Sequence, residues 1–145
     1  MRTRESFLAK SADETRALGE QLGQILRAGD LVTLSGALGA GKTTFVQGVA
    51  RALGLDSSVV SPTFVLIIEH DGPVPLLHLD AYRLESLCYD AIRDAGVMDL
   101  LEREDAVKIV EWPERIADWL PSPKAAVSFA PGAEENERRI EILTS

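Results

Sequence analysis

Apolar residues in this chain follow a helical period in some segments and form short unbroken runs in others. After Ser11, apolar side chains recur at the spacing of one helix face, at Leu18, Leu22, Ile25 and Leu26. This period predicts an amphipathic helix. Ser11 and Glu14 have the spacing of a capping box at its start, and Gly29 followed by Asp30 provides a stop.

Short apolar runs predict the strands. They occupy residues 31–34, 65–68, 76–79, 107–110, 125–129 and 139–143. Helical periods are found at 44–53, 84–95 and 114–120, and 57–64 reads as a loop. The predicted helices alternate with strands, and a final strand pair follows around Pro131 and Gly132. This order predicts one α/β domain over residues 1–145. Its architecture is a mixed central β-sheet flanked by helices.

A glycine-rich segment joins the first of these runs to the next predicted helix. It reads Gly36-Ala37-Leu38-Gly39-Ala40-Gly41-Lys42-Thr43 and matches G-x-x-x-x-G-K-S/T, the phosphate-binding loop of P-loop nucleotide triphosphatases. Glycines allow backbone N–H groups to wrap around a triphosphate. Lys42 is predicted to reach the β- and γ-phosphates, and the Thr43 hydroxyl to ligate Mg²⁺. An ordinary glycine-rich turn has no use for Lys-Thr at its end.

A phosphate-binding loop also needs an acidic residue at the end of a neighbouring strand, to hold the shell of the Mg²⁺ ion. Asp80 and Glu111 each follow an apolar run and are both candidates. The carboxyl ends of strands line the crevice of such sheets, so both are expected to face the site. In the plainer alternative, one of them merely caps its strand.

The composition narrows the class of protein. The formal net charge is −8, which disfavours direct binding to nucleic acid but not to a nucleotide. No apolar run approaches the length of a membrane span, and the first residues lack the apolar stretch of a secretory signal. With a single cysteine, Cys88, no internal disulfide can form, and a cytoplasmic location is the expectation.

Four further groups have both a functional and a plain interpretation. A hydroxyl-rich loop at Ser61 and Thr63 can sense a γ-phosphate, although an ordinary surface turn is the better interpretation without other information. His78 can act as a general base, but a histidine in an apolar strand is more often a packing residue. Tyr82 with Arg83 can bind phosphate or a partner, and Trp112 is either core or an aromatic contact near the nucleotide.

Taken together, the motifs resemble the TsaE (YjeE) family, the small bacterial ATPases of tRNA threonylcarbamoyladenosine synthesis. The resemblance covers almost the whole chain. It is carried by the phosphate-binding loop continuing to Phe45, by S-P-T-F at 61–64, by H-x-D-x-Y-R at 78–83 and by E-W-P at 111–113. The loop alone is shared with many families, whereas the whole set is far more specific.

The resemblance implies a partner system and residue roles. It implies that the protein binds and hydrolyses ATP with Mg²⁺, and that it supports the TsaD and TsaB proteins, which modify adenosine 37 of tRNAs reading ANN codons. The residues implied to hold phosphate are Gly39, Ala40, Gly41, Lys42, Thr43 and Thr44. Glu111 matches the Mg²⁺-associated acid, Asp80 an acid needed for activity, and Ser61 with Thr63 a switch-like loop. Ser11, Ala12 and Arg138 match regions near the base and ribose.

One position departs from the family pattern. Many members have Asp after the first glycine of the loop, where this chain has Ala37. Alanine leaves the phosphate cradle intact but removes a carboxylate that tunes Mg²⁺, loop rigidity or partner contact.

The expected reaction is attack of water on the γ-phosphate. Lys42 and Mg²⁺ neutralise the developing charge, while Glu111 or Asp80 positions the water or the metal shell. Arg83 or an arginine from a partner is a candidate for the missing arginine finger, so slow turnover alone and faster turnover in the complex are expected.

Three rival functions have distinguishing features. A P-loop kinase for a small metabolite usually needs an arginine-bearing lid, and the arginines here are dispersed. A GTPase is disfavoured because no N-K-x-D motif is possible when the only asparagine is Asn136. A nucleotide-gated binding module with little turnover is the third class.

Overall fold

The computed structural model describes residues 2–36, 41–55, 67–84, 90, 93 and 96–145. The strands are β1 (Thr3–Ala9), β2 (Leu31–Ser35), β3 (Ile67–His70), β4 (Leu76–Asp80), β5 (Val107–Glu111), β6 (Ala125–Pro131) and β7 (Arg138–Thr144). The α-helices are α1 (Ala12–Ile25), α2 (Lys42–Ala52) and α3 (Val97–Glu102), and two 3₁₀ segments span Tyr82–Leu84 and Pro113–Trp119.

All seven strands form one mixed sheet in the order β1-β7-β6-β2-β5-β4-β3. Strand β2 pairs in parallel with β5 and β6, and β4 pairs in parallel with β5. The pairs β1–β7, β6–β7 and β3–β4 are antiparallel. The predicted mixed α/β architecture is therefore confirmed, and the strand after which the glycine-rich segment begins lies in the middle of the sheet.

Hydrophobic residues on the two faces of the sheet form two separate clusters. Helices α1 and α2 cover one face, where Phe45, Val46 and Val49 pack with Val32 and Ile109. On the other face, α3 and the 3₁₀ segments pack against alternate residues of the same strands, including Leu79 and Val110. Because successive side chains of a strand point to opposite faces, one continuous apolar run serves both clusters.

Helix α1 begins as its sequence predicts, and it buries the predicted stripe except for Ile25. The Ser11 hydroxyl accepts a hydrogen bond from the Glu14 N–H, and the Glu14 carboxylate accepts one from the Lys10 N–H, so both partners of the predicted capping box contribute. Leu22 and Leu26 are buried, but Ile25 is 51% exposed, and its predicted place in the apolar stripe is wrong.

The reason lies in the crossing of α1 and α2. The buried residues of α1 are Thr15, Gly19, Leu22 and Gly23, so small residues carry the contact. A Cβ atom on Gly19 would come within 2.1 Å of the Phe45 carbonyl oxygen, and one on Gly48 within 2.0 Å of the Arg16 oxygen. The two helices approach so closely that glycines determine which face makes the contact. The spacing of apolar residues does not reveal these glycines.

Several boundaries differ from those expected. The strand Thr3–Ala9 was not anticipated, because it is mostly exposed and lacks an apolar run. The segment 113–119 is a kinked 3₁₀ helix, not a short α-helix. Of the predicted helix at 84–95, Asp90 and Arg93 are helical and most other residues lie outside the described part, as does the predicted loop at 57–64. Among the described helices, none has the length and apolar character needed to cross a membrane.

Candidate nucleotide site at the carboxyl ends of the parallel strands

Three parallel strands end at the same edge of the sheet. Strand β2 ends at Ser35, just before Gly36, while β4 and β5 end at Asp80 and Glu111, which lie opposite each other in register. Helix α2 starts above this edge at Lys42. Glu111 therefore lies against Lys42, at 3.5 Å, and Asp80 lies opposite Glu111 at the same edge.

The backbone at the start of α2 explains why glycine precedes the lysine. Gly41 has φ +97°, a left-handed conformation that side chains other than glycine rarely adopt. Its carbonyl accepts the Phe45 N–H at 3.0 Å and so opens the helix. The free N–H groups of a helix start favour an anion, and Lys42 at this start lies 3.5 Å from Glu111 at the end of β5.

Lys42 is a buried cation with three partners. Its Nζ donates to the Gly36 carbonyl oxygen at 2.7 Å and lies 3.5 Å from Glu111 Oε1. It also lies 4.7 Å from the centroid of the Trp112 ring. Only 5% of Lys42 is exposed, so the charge depends on these contacts in place of water.

Glu111 is held from two sides. His78 Nε2 lies 2.6 Å from Glu111 Oε2, and the imidazole is completely buried. Burial raises the pKa of the Glu111 carboxyl, but the hydrogen bond and charge of His78 and the Lys42 ammonium together hold it below its usual value. The carboxylate is therefore ionised at neutral pH.

Asp80 has a structural partner of its own. Its Oδ1 accepts the Tyr82 N–H at 3.0 Å, which closes a turn after β4. Asp80 thus closes the end of its strand and also lies opposite Glu111 at the same edge, and its role in the site remains a prediction.

Aromatic residues border the lysine. Trp112 adopts φ 58°, the only positive φ among the described residues other than glycine. Its ring meets Tyr82 edge to face at 4.9 Å, and the Arg115 guanidinium lies 4.8 Å from the Tyr82 centroid. Trp112 thus contacts Lys42 and also packs against the second hydrophobic cluster, and its contact with a nucleotide remains a prediction.

A cavity of about 420 Å³ lies beside the start of α2. It is lined by Ser11, Ala12, Thr15, Gly41, Thr44, Asn136 and Arg138. The structure thus brings together Ser11, Ala12, Thr44 and Arg138, which are far apart in the sequence. Their proposed contact with base or ribose remains a prediction.

Sequence reasoning missed Thr15 and Asn136 in this cavity. Thr15 faces Gly41: a Cβ atom added to Gly41 would lie 3.6 Å from the Thr15 methyl group. No motif marks either residue. The buried polar position of Thr15 within an otherwise apolar helix period is the one available signal.

Some of the predicted site residues lie outside the described residues. These are Gly39, Ala40, Ser61 and Thr63. Their roles in phosphate binding and in a switch-like loop remain predictions.

The donors near Lys42 suit a magnesium ion that is shared with a phosphate. No cluster of three His, Cys, Asp or Glu side chains is present in the described part of the chain. Mg²⁺, however, usually keeps several waters and takes one or two carboxylates together with phosphate oxygens. The Thr43 hydroxyl beside Lys42 and the ionised Glu111 are donors of this kind.

Comparison with known proteins agrees with the fold and the motifs. A family model described as threonylcarbamoyl adenosine biosynthesis protein TsaE matches residues 9–140. The tRNA threonylcarbamoyladenosine biosynthesis protein TsaE of Treponema pallidum is 38% identical over 129 residues, 89% of this chain and 93% of that protein. Its namesake from Streptomyces coelicolor is 50% identical over 104 residues, 68% of this chain and 67% of that protein.

A solved structure is similar over nearly the full length. The crystal structure of Bacillus subtilis YdiB superposes with a TM-score of 0.77 at 30% identity, covering 99% of this chain and 87% of that one. The molecule is therefore an α/β protein with a mixed seven-stranded sheet flanked by helices. The chain belongs to the TsaE family.

Proposed function

We propose that this protein binds ATP with Mg²⁺ and hydrolyses it. The observation that carries the proposal is the contact between Lys42 and Glu111 at 3.5 Å, at the start of α2 and the end of β5. A buried lysine at a helix start, next to an ionised carboxylate, matches the cation and acid that a nucleoside triphosphate needs.

The residues divide into three groups in this proposal. The segment from Gly39 to Thr44 cradles the phosphates, with Lys42 on the β- and γ-phosphates. The cavity beside Ser11, Ala12 and Arg138 receives the ribose and base, since it opens next to Gly41 and Thr44. Ser61 and Thr63 form a loop that responds to the γ-phosphate.

Thr43 and Glu111 would hold Mg²⁺, which when bound neutralises phosphate charge. Glu111 or Asp80 orients a water whose oxygen bonds to the γ-phosphorus as the bond to the bridging oxygen breaks. The products are ADP and inorganic phosphate, and the water proton passes to a carboxylate or to solvent. Lys42 stabilises the charge that develops on the phosphoryl oxygens.

The family points to the biological setting. We place the ATPase in the cytoplasm, acting with TsaD and TsaB in forming the threonylcarbamoyl modification of adenosine 37 in tRNAs that read ANN codons. A net charge of −8 supports protein partners in preference to direct contact with tRNA.

Phosphate release tests this proposal directly. The rate is measured with ATP and Mg²⁺, for the protein alone and with TsaD and TsaB present. We expect slow release alone and a clear increase in the complex, because an arginine or a closed loop from a partner completes the site. Equal rates would overturn the partner dependence. A Lys42→Ala variant that releases phosphate at the wild-type rate would overturn the site.

A further inference from the structure

A buried histidine lies directly behind the candidate magnesium ligand. His78 is the central residue of β4, opposite Ile109 of β5 and Ile68 of β3. It is completely buried, and its Nε2 is 2.6 Å from Glu111 Oε2. The sequence interpretation of His78 as a satisfied packing residue fits its burial, and the structure shows that its partner is Glu111.

The direction of the hydrogen bond between His78 and Glu111 follows from the ionised state of Glu111. An ionised carboxylate has only acceptors, so Nε2 carries the hydrogen and donates it to Oε2. The other ring nitrogen, Nδ1, is buried and has no hydrogen-bond partner among the described residues. A side chain kept only to fill space would be apolar there, because an unpartnered buried nitrogen is costly. The value of His78 therefore lies in its Nε2 contact.

The two oxygens of Glu111 have different neighbours. Oε2 is taken by His78, while Oε1 faces Lys42 Nζ at 3.5 Å. Among the described residues, Lys42 also contacts the Gly36 carbonyl and the Trp112 ring, which a phosphate oxygen can replace. When Lys42 turns to a phosphate, Oε1 loses its cation, whereas Oε2 stays anchored.

We propose that His78 is a positioning residue that holds Glu111 so that Oε1 faces the magnesium shell of a bound nucleotide. This inference rests on the proposed nucleotide function. Partners behind a metal-associated side chain fix its orientation, and their loss typically weakens metal affinity by about 10–100-fold.

The test measures how strongly Mg²⁺ tightens the binding of ADP. Calorimetry gives the affinity for ADP with Mg²⁺ and with EDTA, and the ratio is the Mg²⁺ response. We expect His78→Leu to lower this ratio by about 10-fold or more, with the EDTA affinity nearly unchanged. The matched variant His78→Gln retains an N–H donor and should recover part of the ratio.

A double-mutant cycle with Glu111→Gln separates positioning from general damage. In the Glu111→Gln background, His78→Leu should leave the Mg²⁺ response unchanged, because no carboxylate remains to be oriented. Urea unfolding without nucleotide gives the free energy of unfolding for the same four proteins. A single variant that folds poorly is therefore still informative. There, His78→Leu should destabilise the protein less in the Glu111→Gln background than in the wild type.

The outcomes distinguish the two proposals. A folded His78→Leu variant with the wild-type Mg²⁺ response would overturn the role of His78 and leave the nucleotide function standing. Equal effects of His78→Leu in both backgrounds would also overturn it. A wild-type protein whose affinity for ADP does not respond to Mg²⁺ would overturn the proposed function itself, and the role of His78 with it.

Discussion

The two ends of strand β5 each bury a lysine, and the two lysines have different kinds of partner. At the carboxyl end, Lys42 contacts Glu111, one carbonyl and the Trp112 ring. At the amino end, Lys108 Nζ donates to the carbonyl oxygens of Leu101 and Arg103, at 3.1 and 2.6 Å. Both lysines are at most 5% exposed.

Lys108 serves the fold. Its two carbonyl partners lie at the end of α3, where carbonyl oxygens have no partner within the helix and a cation is favoured. Burial lowers the pKa of Lys108, although Glu104, Asp30 and Asp105 partly oppose the shift. A cavity of about 570 Å³ opens beside it, but Asp30, Glu102 and Glu104 in its lining disfavour an anion.

The comparison indicates that the partners of a buried lysine, and not its burial, separate a site from a structural contact. Lys108 donates to two carbonyl oxygens at the end of α3, whereas Lys42 donates to one carbonyl, that of Gly36. The other partners of Lys42 are the Glu111 carboxylate, which also contacts His78, and the face of the Trp112 ring, which needs no hydrogen bond. Under the proposed function, Lys42 exchanges these partners for a phosphate, whereas Lys108 holds the end of α3.

The largest expected effect is on ligand binding at the carboxyl end. Lys42→Met should weaken the binding of Mg²⁺-ATP by about 100-fold, or ~2.7 kcal/mol, because charge-assisted bonds to the phosphates are lost. Calorimetry measures the affinity. Lys108→Met is the matched control and should bind with wild-type affinity, and equal losses in both variants would contradict the comparison.

The next effect tests how closely helices α1 and α2, which cover one face of the sheet, must pack. Gly48→Ala should lower the free energy of unfolding by a net of about 2 kcal/mol, because the methyl group would overlap the Arg16 carbonyl. The higher helix propensity of alanine returns at most about 1 kcal/mol. Urea unfolding gives the value, with the exposed Gln24→Ala in α1 as control. A Gly48→Ala protein as stable as the wild type would show that the crossing tolerates separation.

A smaller loss of stability is expected at the amino end. Lys108→Met should lower the free energy of unfolding by about 1–2 kcal/mol, since two carbonyls at the end of α3 lose their donor. Lys124→Met is the control, because that side chain is only half-buried and donates to Ser145 at 2.8 Å. If the two variants were equally stable, Lys108 would not hold α3.

The smallest effect is a dependence on alkaline pH. The pKa of Lys108 is lower in the folded state than its ordinary value of 10.5. Between these two pKa values, the unfolded chain therefore binds more protons than the folded protein. Stability from this group must then rise with pH up to the ordinary value. The difference in unfolding free energy between wild type and Lys108→Met, measured from neutral pH to that value, should increase. A flat or falling difference would contradict the sign.

Local patterns predicted most elements, for physical reasons visible in particular residues. Phe45, Val46, Val49 and Ala50 are all fully buried, as the helical period required. Strand β1 escaped prediction because it is held by its register with β7, such as Phe7 opposite Ile140, and not by an apolar pattern of its own. Ile25 was assigned to the wrong face because glycines decide how α1 meets α2.

The sequence by itself determined the phosphate-binding motif, the alternation of strands and helices, and the placing of an acid at the end of two strands. These depend on neighbours a few residues apart, whose spacing is set by the geometry of helix and strand. The tertiary structure alone decided that His78 supports Glu111 from 33 positions away and that Lys42 lies against Trp112. Strand order and register create such contacts, and neither is written in a local pattern.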